Sequence, residues 1–217
     1  MADVRVRGRA VRDQERGRPD LELGATVAPD RRSPPGRTGI GPGAGIGSAR
    51  EADGGRMTEI DRMLAANEEW AATFPGPLPA PPARGVAVVA CMDARMPLFP
   101  MLGLSVGDAH VIRNAGGVVT EDTLRSLTVS QHLLGTREIL LVHHTGCGLQ
   151  GADDSSFAGQ VERATGVRPP WVLRSFIDVH EDVRESIRLL KACPYLLSHD
   201  IRGTVYDVET GRLHEVR

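Results

Sequence analysis

The sequence predicts an α/β fold: a central, mostly parallel β-sheet flanked by helices, with an antiparallel strand at one edge. Three observations carry that expectation. Gly85-Val-Ala-Val-Val-Ala90 and Glu138-Ile-Leu-Leu-Val142 are short, almost continuous apolar runs, the pattern of strands buried on both faces of a parallel sheet. A stretch with helical periodicity lies between them, giving the strand, helix, strand order of α/β proteins. Near the C-terminus, Gly203–Val208 and Arg212–Val216 flank Glu209-Thr-Gly211 and read as a closing hairpin at the sheet edge.

Element by element, Thr58–Trp70 reads as a helix, with Thr58 as cap and an apolar stripe at Ile60, Met63, Leu64 and Trp70. Pro75-Gly-Pro-Leu-Pro-Ala-Pro-Pro82 excludes a regular helix and reads as an extended connector. The first buried strand then ends in Cys91, and Ala109–Arg113 is a second strand. A helix follows Thr120, with Glu121 and Asp122 where a helix N-terminus favours negative charge and Gly135 as its stop. The third strand runs into His143 and His144. Phe157–Ala164 is a short helix closed by Gly166, and Arg168–Trp171 a surface turn. Val179, Val183, Ile187 and Leu190 mark a longer helix that stops near Pro194.

Residues 1–56 have a different character. They contain eleven glycines, five prolines and none of the chain's eight aromatic residues. Such a segment buries too little apolar area to offset the entropy of ordering its backbone, so it is expected to be a disordered N-terminal extension. Met57 is a second possible beginning. The domain reading is therefore an extension over 1–56, a helix and proline-rich arm over 57–82, and an α/β domain over 83–217 that carries the candidate site residues. Gly39–Gly47 has the glycine density of a nucleotide loop but lacks GxGxxG, a preceding strand and GK[ST], so it reads as tail or linker.

The formal charge of -2 excludes a strongly basic, nucleic-acid-coating protein. No run approaches the eighteen apolar residues of a membrane span, and no secretory signal core opens the chain. Acidic residues at Asp3, Asp13, Glu15, Asp20 and Glu22 argue against an organelle transit peptide, so the expected location is cytoplasmic. Three cysteines are too few for a disulfide scaffold and are expected to be reduced or metal-bound. Cys193, beside Pro194 at a helix end, reads as a buried small hydrophobe.

The chemistry gathers where strands end. Cys91 and one of the two adjacent histidines follow predicted strands, and open parallel sheets bind ligands outside those carboxyl ends. Cys147 lies in the turn Thr145-Gly-Cys-Gly148, which can bend a thiolate back toward the histidine. Two thiolates and a neutral imidazole suit zinc and leave one coordination position open. His143 and His144 face opposite sides of their strand, and spacing alone leaves both as candidates.

Cys91-Met-Asp93-Ala-Arg95 together with His144-Thr-Gly-Cys147 resembles the two signatures of the beta-class carbonic anhydrases, Cys-x-Asp-x-Arg and His-x-x-Cys. Arg113-Asn-Ala-Gly-Gly117 is similar to the loop between them, and the likeness runs from about Met57 to the C-terminus, nearest to the compact bacterial forms. The resemblance selects His144 and implies that Cys91, His144 and Cys147 hold one zinc ion per subunit. It further implies reversible hydration of carbon dioxide to bicarbonate and a proton, by attack of zinc-bound hydroxide. Asp93 then has two roles in the family: fourth zinc ligand in a closed form, or partner of Arg95 in the open form. The Gly116–Gly117 loop is expected to bring backbone amides toward the site or the partner subunit, with Asn114 fixing that loop; His110 and His132 are candidates for proton export but read first as ordinary surface histidines. A homodimer or dimer of dimers is implied, with the 57–82 arm packing on a partner or on its own core. Two alternatives remain: a zinc lyase or hydrolase acting on another small substrate, isoelectronic or sulfur-containing, and a non-catalytic zinc interaction domain.

Overall fold

In a computed structural model the protein is described over residues 57–217; the expected disordered extension, 1–56, lies outside the described residues. Chain contacts divide the protein into Met1–Arg62 and Met63–Arg217. Thr58, in the first unit, caps helix α1 (Glu59–Ala71), whose residues from Met63 on belong to the second: Thr58 Oγ1 accepts from the Asp61 amide at 3.1 Å, and Asp61 Oδ2 accepts from the Thr58 amide at 2.9 Å. This reciprocal pairing satisfies donors that a helix start otherwise leaves orphaned. No residue of α1 is buried, and its apolar stripe of Ile60, Met63, Leu64 and Trp70 is exposed.

The second unit is built on a five-stranded sheet. Its strands are β1 (Val86–Cys91), β2 (Ala109–Asn114), β3 (Glu138–His144), β4 (Asp200–Tyr206) and β5 (Leu213–Val216), in the order β2-β1-β3-β4-β5. The first four run parallel and β5 is antiparallel at the edge. The expected architecture is therefore borne out. The apolar runs do what their composition demands: Ala87, Val89, Ile139 and Leu141 enter one buried cluster, and Val88, Ala90 and Val142 another. That alternation is the period-two pleat of strands covered on both faces.

The helices that pack on this sheet begin and end at predictable residues. Thr120 caps α3 (Glu121–Leu134) by accepting from the Thr123 amide, and left-handed Gly135 ends it. Asp178 caps α5 (Val179–Ala192), which lies so close to β4 that a methyl group at Gly203 would run into Val183 and stand 3.0 Å from Ile187. Three boundaries differ from expectation. Helix α4 (Asp154–Thr165) starts three residues before Phe157, because Asp153 caps it through the Ser156 amide at 2.6 Å. Strand β4 starts at Asp200 rather than Gly203 and ends at Tyr206. Asp207 breaks the ladder there: its side chain accepts from the Glu209 amide and the Thr210 hydroxyl, forming the turn into β5. The five-residue α2 (Leu98–Leu102) was not expected at all, being too short to show a period.

Candidate metal centre

Strands β1 and β3 are parallel neighbours, with Ala90 beside Val142, so their carboxyl ends lie side by side. Cys91 is the last residue of β1 and His144 the last of β3. Past His144 the Thr145 amide bonds to the Tyr206 carbonyl at 2.9 Å, and Gly146, at φ 62°, turns the chain so that Cys147 comes back toward the histidine. The ligand atoms of Cys91, His144 and Cys147 all fall within 4.8 Å of one another, and all three residues are buried.

The tautomer of His144 follows from its neighbour. Nδ1 lies 2.9 Å from the Thr145 carbonyl, which can only accept, so Nδ1 carries the proton and Nε2 keeps its lone pair. Nε2 is closed off from solvent and has no hydrogen-bond partner. A buried polar atom left unpaired beside two thiols needs an explanation. A zinc ion would account for it: an imidazole nitrogen and two thiolates are a donor set that suits zinc and would leave one position open, as catalytic zinc sites require. His143, the competing candidate, is elsewhere. Its Nδ1 is 3.1 Å from Asp182 Oδ2, outside hydrogen-bond geometry, and its ring packs 6.1 Å from that of Phe176.

The electrostatics move one of the three groups, Cys91, toward the ionised form that binds metal, and the other two toward their protonated forms. Burial pushes the Cys91 thiol up, but contact with His144 and the amides of Asp93 and Gly116 outweigh it and bring it down to about 7. The same contact with Cys91 raises His144. Cys147 is raised, first by its own burial.

Asp93 and Arg95 face this cluster as an interlocked pair. Arg95 Nε donates to Asp93 Oδ1 at 3.0 Å and Nη2 to Oδ2 at 2.7 Å, and the Arg95 amide adds a third bond to Oδ1. These bonds hold the carboxyl well below the usual carboxylate range. Arg95 Nη2 also reaches the Gly146 carbonyl at 3.1 Å, tying the Cys91 loop to the Cys147 turn. Asp93 Oδ2 is 3.7 Å from His144 Nε2, so the carboxylate faces the ligand set while remaining on the arginine.

The glycine loop does approach the site. Gly117 sits at φ +72° with its backbone against Cys91, where a Cβ would stand 2.8 Å from the Cys91 amide nitrogen. Only glycine tolerates both conditions. Asn114 Nδ2 fixes the loop by donating to the Val118 carbonyl at 2.8 Å. The two histidines considered for proton export are engaged away from the cluster. His110 pairs with Ser130 at the opposite end of β2, and His132 Nε2 with the Tyr195 carbonyl. Sequence reasoning missed Arg113 as an individual: its guanidinium reaches the carbonyls of Cys91 and Asp93 at 2.9 and 2.7 Å. Only its place beside Asn114 hinted at a role.

A family profile described as carbonic anhydrase matches residues 86–188, which span both halves of the cluster. "Beta-carbonic anhydrase 1" of Mycobacterium tuberculosis is 52% identical over 161 residues, 74% of this chain and 99% of that relative. The chain belongs to the beta-class carbonic anhydrases. The crystal structure of a carbonic anhydrase from Streptococcus mutans superimposes with a TM-score of 0.71 at 42% identity, covering 75% of this chain and 99% of that one. A protein named carbon disulfide hydrolase from Acidithiobacillus thiooxidans is more distant, at 32% identity over 60% of this chain and 76% of its own. As a beta-class carbonic anhydrase the protein is a zinc-dependent enzyme of carbon dioxide hydration, with the Cys-His-Cys cluster as the one metal site found among the described residues. No described helix is long and apolar enough to cross a membrane.

Proposed function

We propose that Cys91, His144 and Cys147 hold the catalytic zinc and that Asp93 and Arg95 are the catalytic pair that orients the attacking water. The observation that carries this reading is the buried, partnerless Nε2 of His144 inside a ring of ligand atoms no more than 4.8 Å apart. When bound, zinc lowers the pKa of its water from about 15.7 to about 7, supplying a nucleophile at neutral pH. The chain's own groups do the rest. Asp93 Oδ2 accepts a hydrogen bond from the attacking water and turns a lone pair toward the carbon of carbon dioxide. Arg95, bonded to both carboxylate oxygens, keeps Asp93 from collapsing onto the ligand set as a fourth ligand. Water adds across one C=O bond; the products are bicarbonate and a proton, which leaves to buffer.

A homodimer or dimer of dimers is the proposed assembly. It is supported by the exposed apolar stripe of α1, and by an open cavity of ≈ 980 Å³ bordered by Ile112, Val118, Phe157, Trp171 and Val172. In this reading 57–82 is an arm and 83–217 the catalytic domain, following an N-terminal extension, and the enzyme works in the cytoplasm without a nucleic-acid partner.

Zinc analysis combined with stopped-flow carbon dioxide hydration from neutral to alkaline pH tests the function. One zinc per chain and a rate that rises with pH support it. Carbon disulfide turnover without carbon dioxide hydration would replace it with the activity named for the more distant relatives. Full zinc without either reaction would leave a non-catalytic zinc domain.

A further inference from the structure

The main chain leaving β1 is gripped by an arginine from the neighbouring strand. Arg113 lies on β2 opposite Ala90, and the Met92 amide makes the last bond between the two strands, to the Asn114 carbonyl at 2.8 Å. Beyond that point the chain turns outward through Asp93, whose carbonyl accepts from the Met96 amide at 3.2 Å. The guanidinium of Arg113 closes over this turn. Nε donates to the Cys91 carbonyl at 2.9 Å, Nη2 to the Asp93 carbonyl at 2.7 Å, and Nη1 makes a longer contact with the Met96 carbonyl at 3.4 Å. Nε and Nη2 form one edge of a rigid planar fork, so the two shorter bonds fix the spacing and direction of the Cys91 and Asp93 carbonyls together.

Arg113 has no carboxylate partner among the described residues. Two arginines therefore hold Asp93 from opposite sides, Arg95 by its carboxylate and Arg113 by its main chain. The main chain that carries Asp93 is thus held at two carbonyls, while its carboxylate lies on Arg95 with Oδ2 3.7 Å from His144 Nε2.

We propose that Arg113 is a positioning residue for carbon dioxide hydration, which sets the direction of the Asp93 carboxylate by clamping the carbonyls of Cys91 and Asp93. The inference rests on the role assigned above to Asp93. It requires that Arg113 act through Asp93 rather than through general stability, and that difference can be measured.

The variants are R113Q, R113K and D93A, with R113Q and R113K also made in the D93A background. The full chain is loaded with zinc for kinetics and with cobalt(II) for visible absorption spectra. In R113Q, kcat should fall about 10- to 100-fold, the range seen when outer contacts of a metal site are lost. KM and zinc content should stay within about twofold, since no ligand and no substrate contact is removed. R113K should fall between, because an ammonium can meet one carbonyl but cannot span both as a fork. The cobalt d–d bands should shift in R113Q and should not shift further when R113Q is added to D93A, the signature of coupled residues. An unchanged kcat, a loss of metal in step with activity, or the same spectral shift in both backgrounds would each overturn the proposal. If R113Q does not fold, R113K carries the same measurements. A parent enzyme inactive toward carbon dioxide would defeat the functional reading, while the cobalt spectra would still judge the clamp.

Discussion

The two ends of the sheet treat polar side chains in opposite ways. At the amino ends of the strands the buried polar network is paired: His110 Nδ1 meets Ser130 Oγ at 2.7 Å, and Ser130 meets Thr136 at 2.7 Å. Gln131 there accepts from the Leu197 and Ser198 amides and donates to the Ser198 carbonyl. At the carboxyl ends, a ring nitrogen of His144 is buried without a partner beside two buried thiols, and Gly117 lets backbone approach Cys91 where a Cβ would collide. Satisfied networks rigidify a fold, whereas a buried polar group without a partner calls for an explanation such as a bound ion. The active end of this sheet is therefore identified by what it leaves unfinished.

The severest way to break the contrast is to remove a ligand. Cys147→Ser should take the zinc content toward zero and abolish carbon dioxide hydration while leaving the paired end intact, checked by metal analysis and far-UV circular dichroism. The proton linkage sharpens the same point. Zinc binds thiolates and neutral imidazole, so its affinity for chelator-stripped protein should rise with pH. The rise should be steepest below about pH 7, where Cys91, Cys147 and His144, itself raised by Cys91, must all lose protons. Above that it should continue more gently, because Cys91 is already ionised while Cys147, raised by burial, is not. Affinity independent of pH would show that the thiols are not the ligands.

Next in size is Arg95→Ala, which leaves the ligands in place. Zinc content should be retained and carbon dioxide hydration should fall about 10- to 100-fold, as for other outer contacts of a metal site. Unchanged hydration would remove the pair from the mechanism. Acid alone should not mimic this variant through the pair itself. The Asp93 carboxyl is depressed, so the contact contributes above the ordinary carboxylate pKa and is lost only as pH falls through the lower, folded value.

Much of this end of the molecule was readable from the chain. Cys91 and His144 are conspicuous because each terminates an apolar run, and a buried parallel strand has no other way to end at a ligand site. Choosing His144 over His143 needed the family pattern, since alternation places the two on opposite faces without saying which face holds the thiols; the contact of His143 with Asp182 comes from α5, 39 residues further on. Arg113 was unreadable for a different reason. An arginine within a strand looks like one polar position in an alternating pattern, and bonds to backbone carbonyls depend on the register of β1 with β2, which no side-chain pattern records. The early start of β4 was hidden likewise, because Asp200 and Arg202 are exposed polar residues that interrupt the apolar signal.

Gly117→Ala probes how tightly the unfinished end is built. The new Cβ would stand 2.8 Å from the Cys91 nitrogen and 3.1 Å from the Ala90 carbonyl carbon, both main-chain atoms that cannot swing aside. The left-handed φ adds about 1–2 kcal/mol for a residue with a side chain. Thermal unfolding should register a loss of that order or more, and zinc affinity should fall with it, since the displaced atom belongs to a ligand residue. Stability lost without any change in zinc affinity would mean that the loop supports the fold and not the site.

The mildest change belongs to the paired end. Ser130→Ala removes the hydroxyl shared by His110 and Thr136 and leaves buried Thr136 and half-buried His110 each short of a bond. The cost should be about 1–3 kcal/mol, the penalty for stranding buried polar groups. It should appear as a lower Tm, while zinc content and hydration rate match the parent, because no bond of this network reaches Cys91, His144 or Cys147. A hydration rate that fell out of proportion to Tm would mean that the two ends communicate through β2, the strand that carries both His110 and Arg113, and the division between a finished and an unfinished end would have to be redrawn along that strand.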